Sequence, residues 1–479
     1  MKIKFFAICY LVFLFGLSAW APALGAEEEY RVTHLDLEKN KAFFDDPRPH
    51  LKEGLSYKKV LPPNLYAKLT YDVETMKTLW AEVVGFKAPD VVGKIAPEIK
   101  PGTYTYKDKE KYPGFKELMY TTMYNRFNPG APPFAGNFPE IKVVPTRQYY
   151  YAVPIAKATK ENMGRAKLDD QGYLIRQTYV AGVPFPRPEG KFKAQQVMYN
   201  WDRRYYCGEN LAIIANIKGF TRSFQNDFDG KALLQTLRFS SRVQIEPLGY
   251  YDERAKVNEE KYGLSLTHMA PRDLYGNSIT IIRYLDADKF DQVLMYLTAM
   301  RRIRKMSATD TQDAVAGQDV IYDDDYGISQ PYTPKRYPYK FEILAEREYL
   351  VPAPQWDGSL YVSSKGLEYR NIEFERRPLY VVLLTQMDKN YVYSKRIAYI
   401  DKETFFLYDI ENYDTKGRFY RQSENRPAFF PEMGFFTTLG VMYRDYVDMH
   451  SVLIQQYSYP ALWVDRSYFD IRSLVGKIK

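Results

Sequence analysis

The chain is poor in cysteine and histidine, with two cysteines and four histidines among 479 residues. Cys9 lies in an apolar N-terminal run that we expect to be removed, so Cys207 would remain alone and form no intramolecular disulfide. Cys207 itself is typical of a small strand residue rather than of a nucleophile. The histidines are His34, His50, His268 and His450. Because none of them shows a metal-ligand spacing such as HxxxH, we predict no metal site.

Short catalytic motifs are also absent from the sequence. There is no GxSxG elbow, no phosphate-binding glycine loop and no CxxC pair. A Ser-His-Asp triad leaves no spacing signature, because its members need not be neighbours in sequence. The paired carboxylates of a glycoside hydrolase cannot be told from solvated Asp and Glu side chains. We therefore expect that the protein is not an enzyme and has no cofactor, with a polysaccharide hydrolase as the enzyme class that stays open.

Only one long apolar run is present, and it lies at the N-terminus. Lys2 and Lys4 precede about 13 apolar residues, and small residues then lead to Ala26 and an acidic stretch. This order is typical of a secretory signal peptide. The alternative is a membrane anchor, for which the run is short against the ~20 residues that a bilayer needs. We expect residues 1–26 to be cleaved near Ala26, which places the mature chain in the periplasm or in association with the outer membrane.

What the sequence has in quantity is aromatic residues, with 44 tyrosines, 28 phenylalanines and 5 tryptophans. Aromatic side chains favour strands, and a ring with a hydroxyl suits a surface that is apolar but partly wet. Two interpretations stay open: an aromatic-rich β protein, or a protein that encloses an apolar cavity or rests on a membrane. The net charge of +8 is spread along the chain, so we expect no nucleic-acid partner.

The order of the segments predicts a mainly β protein of the α+β class. Residues 27–70 are polar and rich in proline, which indicates a loosely ordered arm. A helix is predicted from Asp72, a possible cap, to Gly85. Short aromatic and aliphatic runs from about Tyr149 onward read as strands. Because their links are short, the strands must be antiparallel, and residues 71–479 are predicted to form one β domain.

A basic cluster is followed by an acidic one in the last third of the chain. The cations are Arg301, Arg302, Arg304 and Lys305, and the carboxylates are Asp310, Asp313, Asp319, Asp323, Asp324 and Asp325. We predict that a loop containing Gly317 turns the chain back, so that Asp319 and Asp323 pair with Arg302 and Arg304 and pin an edge of the sheet. A calcium site is the alternative, since clustered carboxylates suit hard cations, although the spacing does not fit an EF-hand.

Three stretches resemble a family of bacterial envelope proteins catalogued as domain of unknown function 1329. They are AGVPFPRPEGKFKAQQVMYNWDRRYY (residues 181–206), YLTAMRRIRKMSATDTQDAVAGQDVIYDDDYG (296–327) and YSKRIAYIDKETFFLYDIENYDTKGRFYR (393–421). The first is similar to the GxPFP motif of that family. The second and third are similar to the GxDxxYDD and KRxxYIDKET motifs of outer-membrane lipoprotein-sorting-like proteins, in the same order. In the first stretch Trp201 follows Asn200, whereas the family motif has the reverse order, and the arm before residue 70 lies outside the resemblance.

The resemblance implies a fold and a function. The wider group is similar to the lipoprotein carrier LolA and its receptor LolB, whose fold is a curved antiparallel half-barrel with helices over the concave face. It implies carriage of lipid or another hydrophobic ligand, with an export pump of the resistance-nodulation-division type as a partner. Contact with the membrane surface is a further option. Since binding an apolar ligand needs buried area more than any special group, the sequence does not reveal the residues of the pocket.

We therefore expect a periplasmic binder or carrier of a hydrophobic ligand. The alternative is an envelope assembly or docking protein whose ligand is another protein. The arm and the proline-rich stretch up to Pro145 favour this alternative, because such segments often become ordered on a partner.

Overall fold

The computed structural model describes residues 57–58, 61–129, 136–205, 208–223, 225–306, 311–315, 318–354, 359–363 and 366–470. The predicted signal peptide, most of the predicted arm, Cys207 and Gly317 lie outside the described residues. The division of the chain into signal peptide, arm and β domain therefore stays a prediction.

The described residues form one large curved antiparallel sheet of 15 strands and a separate two-stranded hairpin. The strands are β1 Gly102–Thr105, β2 Glu140–Val143, β3 Asn210–Phe220, β4 Asn226–Arg238, β5 Glu260–Ala270, β6 Ser278–Tyr284, β7 Gln292–Leu297, β8 Arg302–Lys305, β9 Tyr339–Pro352, β10 Ser359–Ser363, β11 Gly366–Arg370, β12 Glu373–Gln386, β13 Lys395–Asp401, β14 Leu407–Tyr413, β15 Phe419–Phe430, β16 Phe435–Asp445 and β17 His450–Pro460. The predicted fold class is confirmed.

The strand order joins two meanders from distant parts of the chain. β3–β8 follow one another in the sheet, and so do β12–β17. β17 pairs with β3, with Ile454 opposite Ile217, and this pairing makes the two meanders one sheet. β8 and β9 lie at the two edges, and the β1–β2 hairpin meets β12 through a short parallel pairing.

The turn between β14 and β15 is formed by residues 414–417. Gly417 donates its N–H to the Asp414 carbonyl at 2.9 Å, and the Asp414 carboxylate accepts from the backbone of Lys416 and of Arg418. Gly417 has φ +77°, which glycine adopts without a steric cost. Local hydrogen bonding of an aspartate and the freedom of a glycine therefore produce this turn.

Nine short α-helices lie in the described part of the chain. They are α1 Pro63–Leu69, α2 Val73–Val84, α3 Ala88–Val91, α4 Asp108–Lys111, α5 Phe115–Leu118, α6 Thr121–Arg126, α7 Val153–Glu161, α8 Lys193–Asp202 and α9 Glu253–Asn258. α2 confirms the predicted helix: the Asp72 carboxylate accepts from the Thr75 N–H at 2.8 Å, and Gly85 ends it in the left-handed region. α1 lies where we expected a loose arm, and it buries Leu65 and Leu69.

The half of the sheet around β12–β15 is filled by buried charged groups and by segments packed on both of its faces. Arg377 of β12 bonds Asp401 and Glu403, each at 2.7 Å, and all three side chains are fully buried. Tyr120, from the N-terminal segment, donates to Asp409 of β14 at 2.9 Å. Gly327 lies close to Ile410 on the same strand. Because neighbouring residues of a strand point to opposite faces, both faces of β14 are covered.

A candidate apolar ligand cavity

The other half of the sheet carries an apolar row that crosses four strands. Leu234 of β4 is opposite Leu266 of β5, which is opposite Ile279 of β6, which is opposite Met295 of β7. Register partners lie side by side on one face. In β5 the residues on either side of Leu266 point to the opposite face of the sheet, where Ser265 is fully buried. The face that carries the row therefore presents aliphatic side chains together.

This face forms the floor of a cavity of about 380 Å³. The volume falls in the range of ~300–1,000 Å³ that ligand pockets occupy. The apolar and aromatic lining residues are Ala215, Ile217, Phe228, Ala232, Leu234, Tyr262, Leu264, Leu266, Leu274, Ile279, Ile281, Val293, Met295, Leu297, Met306, Val315, Val320, Ile321, Tyr322, Tyr326, Val441, Tyr443, Val452 and Ile454. Such walls suit an apolar ligand rather than a charged one.

Residues 318–329, which we call the cover, lie over this floor. Val320 and Ile321 of the cover line the cavity. We expected helices over the concave face, but the cover is irregular chain with a 3-10 turn at Tyr322–Gly327. Trp201 of α8 donates its indole N–H to the Ile328 carbonyl at 2.9 Å, which ties the cover to a helix.

Gly327 lets the cover approach the sheet closely. It has φ +100°, and a Cβ at this position would lie 2.9 Å from side-chain atoms of both Ile410 and Leu407. Next to it, Asn425 of β15 donates to the Tyr326 carbonyl at 2.9 Å. A side chain at position 327 would therefore clash and would adopt a strained backbone.

Asp323 of the cover is a buried acceptor for four side chains. Tyr391, Gln330, Thr311 and Tyr337 donate to its carboxylate at 2.7, 3.0, 3.1 and 3.2 Å. Burial is the largest influence on its pKa and raises it above the usual aspartate value, although the Tyr391 hydroxyl opposes the rise. The carboxylate is thus engaged in holding the cover to its surroundings.

Asp324 fixes the cover to β13. It accepts from Arg396 at 2.9 Å and from the Tyr393 hydroxyl at 2.6 Å, and both partners are fully buried. Arg396 also donates to the Gly327 carbonyl at 3.1 Å. One buried cation thus joins a carboxylate and a carbonyl of the cover, and its charge strengthens both hydrogen bonds.

Asp319 lies at the other end of the cover, against the β16–β17 turn. Its carboxylate bonds Nδ1 of His450, whose Nε2 lies 3.0 Å from Asp227 at the start of β4. Burial alone would lower the pKa of His450, but the two carboxylates outweigh burial and raise the pKa above its usual value. His450 therefore bridges the cover and the sheet when it is protonated.

The predicted pairing of the acidic segment with Arg302 and Arg304 is wrong. Both arginines are exposed on β8, and within the described part of the chain no carboxylate lies at ion-pair distance from either. The cover instead takes its carboxylates towards β13 and β17, to Arg396 and His450. The physical reason is that β8 is an edge strand whose cations stay hydrated, whereas the cover must neutralise carboxylates that it buries.

Sequence reasoning missed the partners Arg396, Tyr391 and Tyr393. A signal for Arg396 was present, since it stands in the KRIAYIDKET stretch that carries the family resemblance. The three resembling stretches meet at the cover: Trp201 is in the first, residues 319–327 are in the second and Arg396 is in the third. They are distant in sequence but form one structural unit.

A few polar groups interrupt the apolar wall. Arg283 bonds Asp291 at 2.9 Å and the Ser329 hydroxyl at 3.0 Å. His268 presents a buried Nδ1 without a hydrogen-bond partner among the described residues, and burial lowers its pKa. No group of three or more His, Cys, Asp or Glu side chains in the described ranges is placed to hold a metal ion.

Known proteins are similar to this chain over much of its length. The uncharacterized protein PA3922 of Pseudomonas aeruginosa is 22% identical over 317 residues, which cover 63% of this chain and 66% of the relative, just under two thirds of its length. A DUF1329 family protein from Desulfovibrio piger is 14% identical, with a TM-score of 0.40, over 56% of this chain and 91% of that one. The LolA superfamily protein NE2245 from Nitrosomonas europaea is 13% identical, with a TM-score of 0.36, over 58% and 98%.

The family resemblance found in the sequence is confirmed by a family model. The model described as "Protein of unknown function (DUF1329)" matches residues 124–468. This range contains all three resembling stretches and the strands and cover that form the cavity. The chain belongs to the DUF1329 family.

Proposed function

We propose that this protein binds and carries lipid or another hydrophobic ligand in the periplasm, and that the cavity is its binding site. The observation that carries the proposal is the cavity of about 380 Å³ between β3–β7 and the cover, whose walls are mainly aliphatic. At ~25 cal/mol per Å², a lipid chain that buries ~300 Å² there gains ~7 kcal/mol before the costs of binding. Apolar burial alone is enough for useful affinity.

The location of the protein is part of the proposal. No helix in the described part of the chain is long and apolar enough to cross a membrane. Cleavage near Ala26 and release into the periplasm stay predictions. N-terminal sequencing of the protein recovered by osmotic shock would test both, and a chain that begins at Met1 in the membrane fraction would contradict them. The export pump that the resemblance implies also stays a prediction, which affinity purification from cross-linked cells would test.

The binding experiment uses a cavity-filling variant and a matched control. Leu266→Trp adds bulk to the floor of the cavity, whereas Leu344→Trp makes the same change at a leucine of β9 that is 50% exposed. We expect the wild type and Leu344→Trp to bind a fluorescent fatty acid alike in a titration. Leu266→Trp should lose at least tenfold in affinity, because its indole occupies the space of the ligand. Equal binding by all three proteins would contradict the proposed site.

A further inference from the structure

The half of the sheet formed by β3–β8, which bears the cavity, is called the open half below. Two turns lie side by side at one end of it. The first connects β5 and β6, and the second connects β7 and β8. Asn277 in the first accepts from the Thr298 N–H at 2.9 Å and from the Thr298 hydroxyl at 2.8 Å in the second. These bonds hold the turns together. We call residues 271–277 and 298–305 the basic turn pair.

The basic turn pair exposes large apolar side chains beside the cavity. Tyr275 is 48% exposed and Met300 is 41% exposed. Leu274 of the turn pair lines the cavity, and so does Leu297, the last residue of β7 before the second turn. The apolar wall therefore continues to the exposed rim. Amphipathic rings such as that of tyrosine suit the boundary between water and lipid.

The basic turn pair also carries unneutralised positive charge. It contains five exposed cations, which are Arg272, Arg301, Arg302, Arg304 and Lys305. Asp273 is the one acidic residue in the two stretches, so five cations and one carboxylate leave a charge of +4. In the described part of the chain no carboxylate lies at ion-pair distance from these cations. The contact of Arg304 is with the Met300 sulfur at 3.8 Å.

The opposite end of the same strands has a different character. There the turn between β6 and β7 carries acidic side chains that pair internally. Asp288 pairs with Lys335 at 2.9 Å, and Asp291 pairs with Arg283 at 2.8 Å. The turn between β6 and β7 thus holds three aspartates and one lysine, whereas the basic turn pair carries a charge of +4.

We propose that the basic turn pair docks on an anionic phospholipid surface. Tyr275 and Met300 enter the interface, and the cations lie at the level of the phosphates. An apolar ligand then moves between the bilayer and the cavity past Leu274 and Leu297. Docking stands on charge complementarity and the apolar rim alone, whereas this transfer rests on the proposed function. Since each cation near an anionic membrane strengthens binding about fivefold, the free charge supports reversible rather than permanent attachment.

The test is co-sedimentation of the purified protein with vesicles. We expect binding to vesicles that contain phosphatidylglycerol and little binding to vesicles of phosphatidylcholine alone. The double variant Arg302→Gln, Arg304→Gln should bind the anionic vesicles about 25-fold more weakly, from two losses of about fivefold each. The double variant Tyr275→Ser, Met300→Ser should bind the anionic vesicles about tenfold more weakly. Because it keeps the cations, its binding should still weaken as the salt concentration rises. Lys157→Gln with Lys167→Gln, a control at exposed lysines outside the turn pair, should bind as the wild type does.

Several results would overturn the docking proposal. Equal binding to neutral and anionic vesicles would remove the charge argument, and unchanged binding by the two test variants would place the contact elsewhere. If the wild type ignores vesicles and a photoreactive side chain at Met300 instead yields one protein adduct in cells, the turn pair is a protein dock. Uptake of the fluorescent fatty acid by the same variants should be unchanged. Vesicle binding without fatty-acid uptake would contradict the proposed function and leave the docking intact.

Discussion

The half of the sheet formed by β12–β15 has its faces filled by side chains and by other segments, whereas the half formed by β3–β8 encloses an apolar cavity on one face. In the filled half Arg377 is buried against Asp401 and Glu403. In the open half, Leu266 and Ile281 line the cavity. The same antiparallel architecture thus serves as a rigid support on one side and as a binding surface on the other.

The cover connects the two halves. Its contacts with Arg396 and Asn425 belong to the filled half, and its Val320 and Ile321 face the cavity of the open half. Buried charges are costly unless they are paired, so the filled half supplies fixed partners that hold the cover in position. The filled half thus anchors the cover, and the open half provides the surface of the cavity.

The largest expected effect comes from breaking the buried charges of the filled half. Arg377→Met leaves the carboxylates of Asp401 and Glu403 buried without their cation. The free energy of unfolding in urea should fall by ~3–5 kcal/mol. Arg304→Met at the open half is the control, and it should change stability by less than ~0.5 kcal/mol. Equal losses in the two variants would mean that the halves do not differ in this way.

A second pair of variants compares the packing of the two halves. Ala398 of β13 and Ala232 of β4 are both fully buried, but Ala232 lines the cavity. Ala398→Leu should cost ~1–3 kcal/mol, because a filled core has no room for the added atoms. Ala232→Leu should cost less, since its side chain can extend into the cavity. Thermal and urea unfolding would check this, and the reverse order of losses would contradict the assignment of the cavity.

Features of the fold that depend on neighbouring residues could be predicted from the sequence, whereas those that depend on residues distant in the chain could not. The ends of α2 and the β14–β15 turn were predictable, because Asp72, Gly85, Asp414 and Gly417 act on their own neighbours. The pairing of β17 with β3 joins residues more than 200 positions apart, and no local pattern marks it. Family resemblance, not spacing, indicated the half-barrel.

The residues that line the cavity could not be predicted. Leu264 and Leu266 alternate with small polar residues as in any half-buried strand, so a cavity wall and a packed core look alike in sequence. The partners of the cover were also hidden: Asp319 and His450 are 131 positions apart. The sequence analysis singled out the acidic segment but took the nearest cations in sequence for its partners, whereas Arg396 and His450 are the cations that it contacts.

The smallest expected effect is the pH dependence of the His450 bridge. The folded pKa of His450 is raised, so its ion pairs contribute stability fully below the unfolded pKa of ~6.5 and lose it as pH rises through the folded pKa. Because the site is partly exposed, the contribution should not exceed ~1 kcal/mol. The difference in unfolding free energy between the wild type and His450→Gln should therefore shrink from about pH 5.5 to about pH 8.5.

His268 supplies the control with the opposite sign. Burial lowers its pKa, so the folded state favours the neutral imidazole and the wild type should gain stability relative to His268→Gln as pH rises. The same trend in both variants, or a His450 difference that grows with pH, would contradict the assignment of the His450 bridge.

The most direct test of the account is a crystal structure of the protein with a long-chain fatty acid. We expect electron density for the acyl chain between Leu266 of the floor and Val320 of the cover, with the filled half unchanged. Density for the fatty acid at another surface, with the cavity empty at saturating ligand, would contradict the central claim that the open half of the sheet is the binding site.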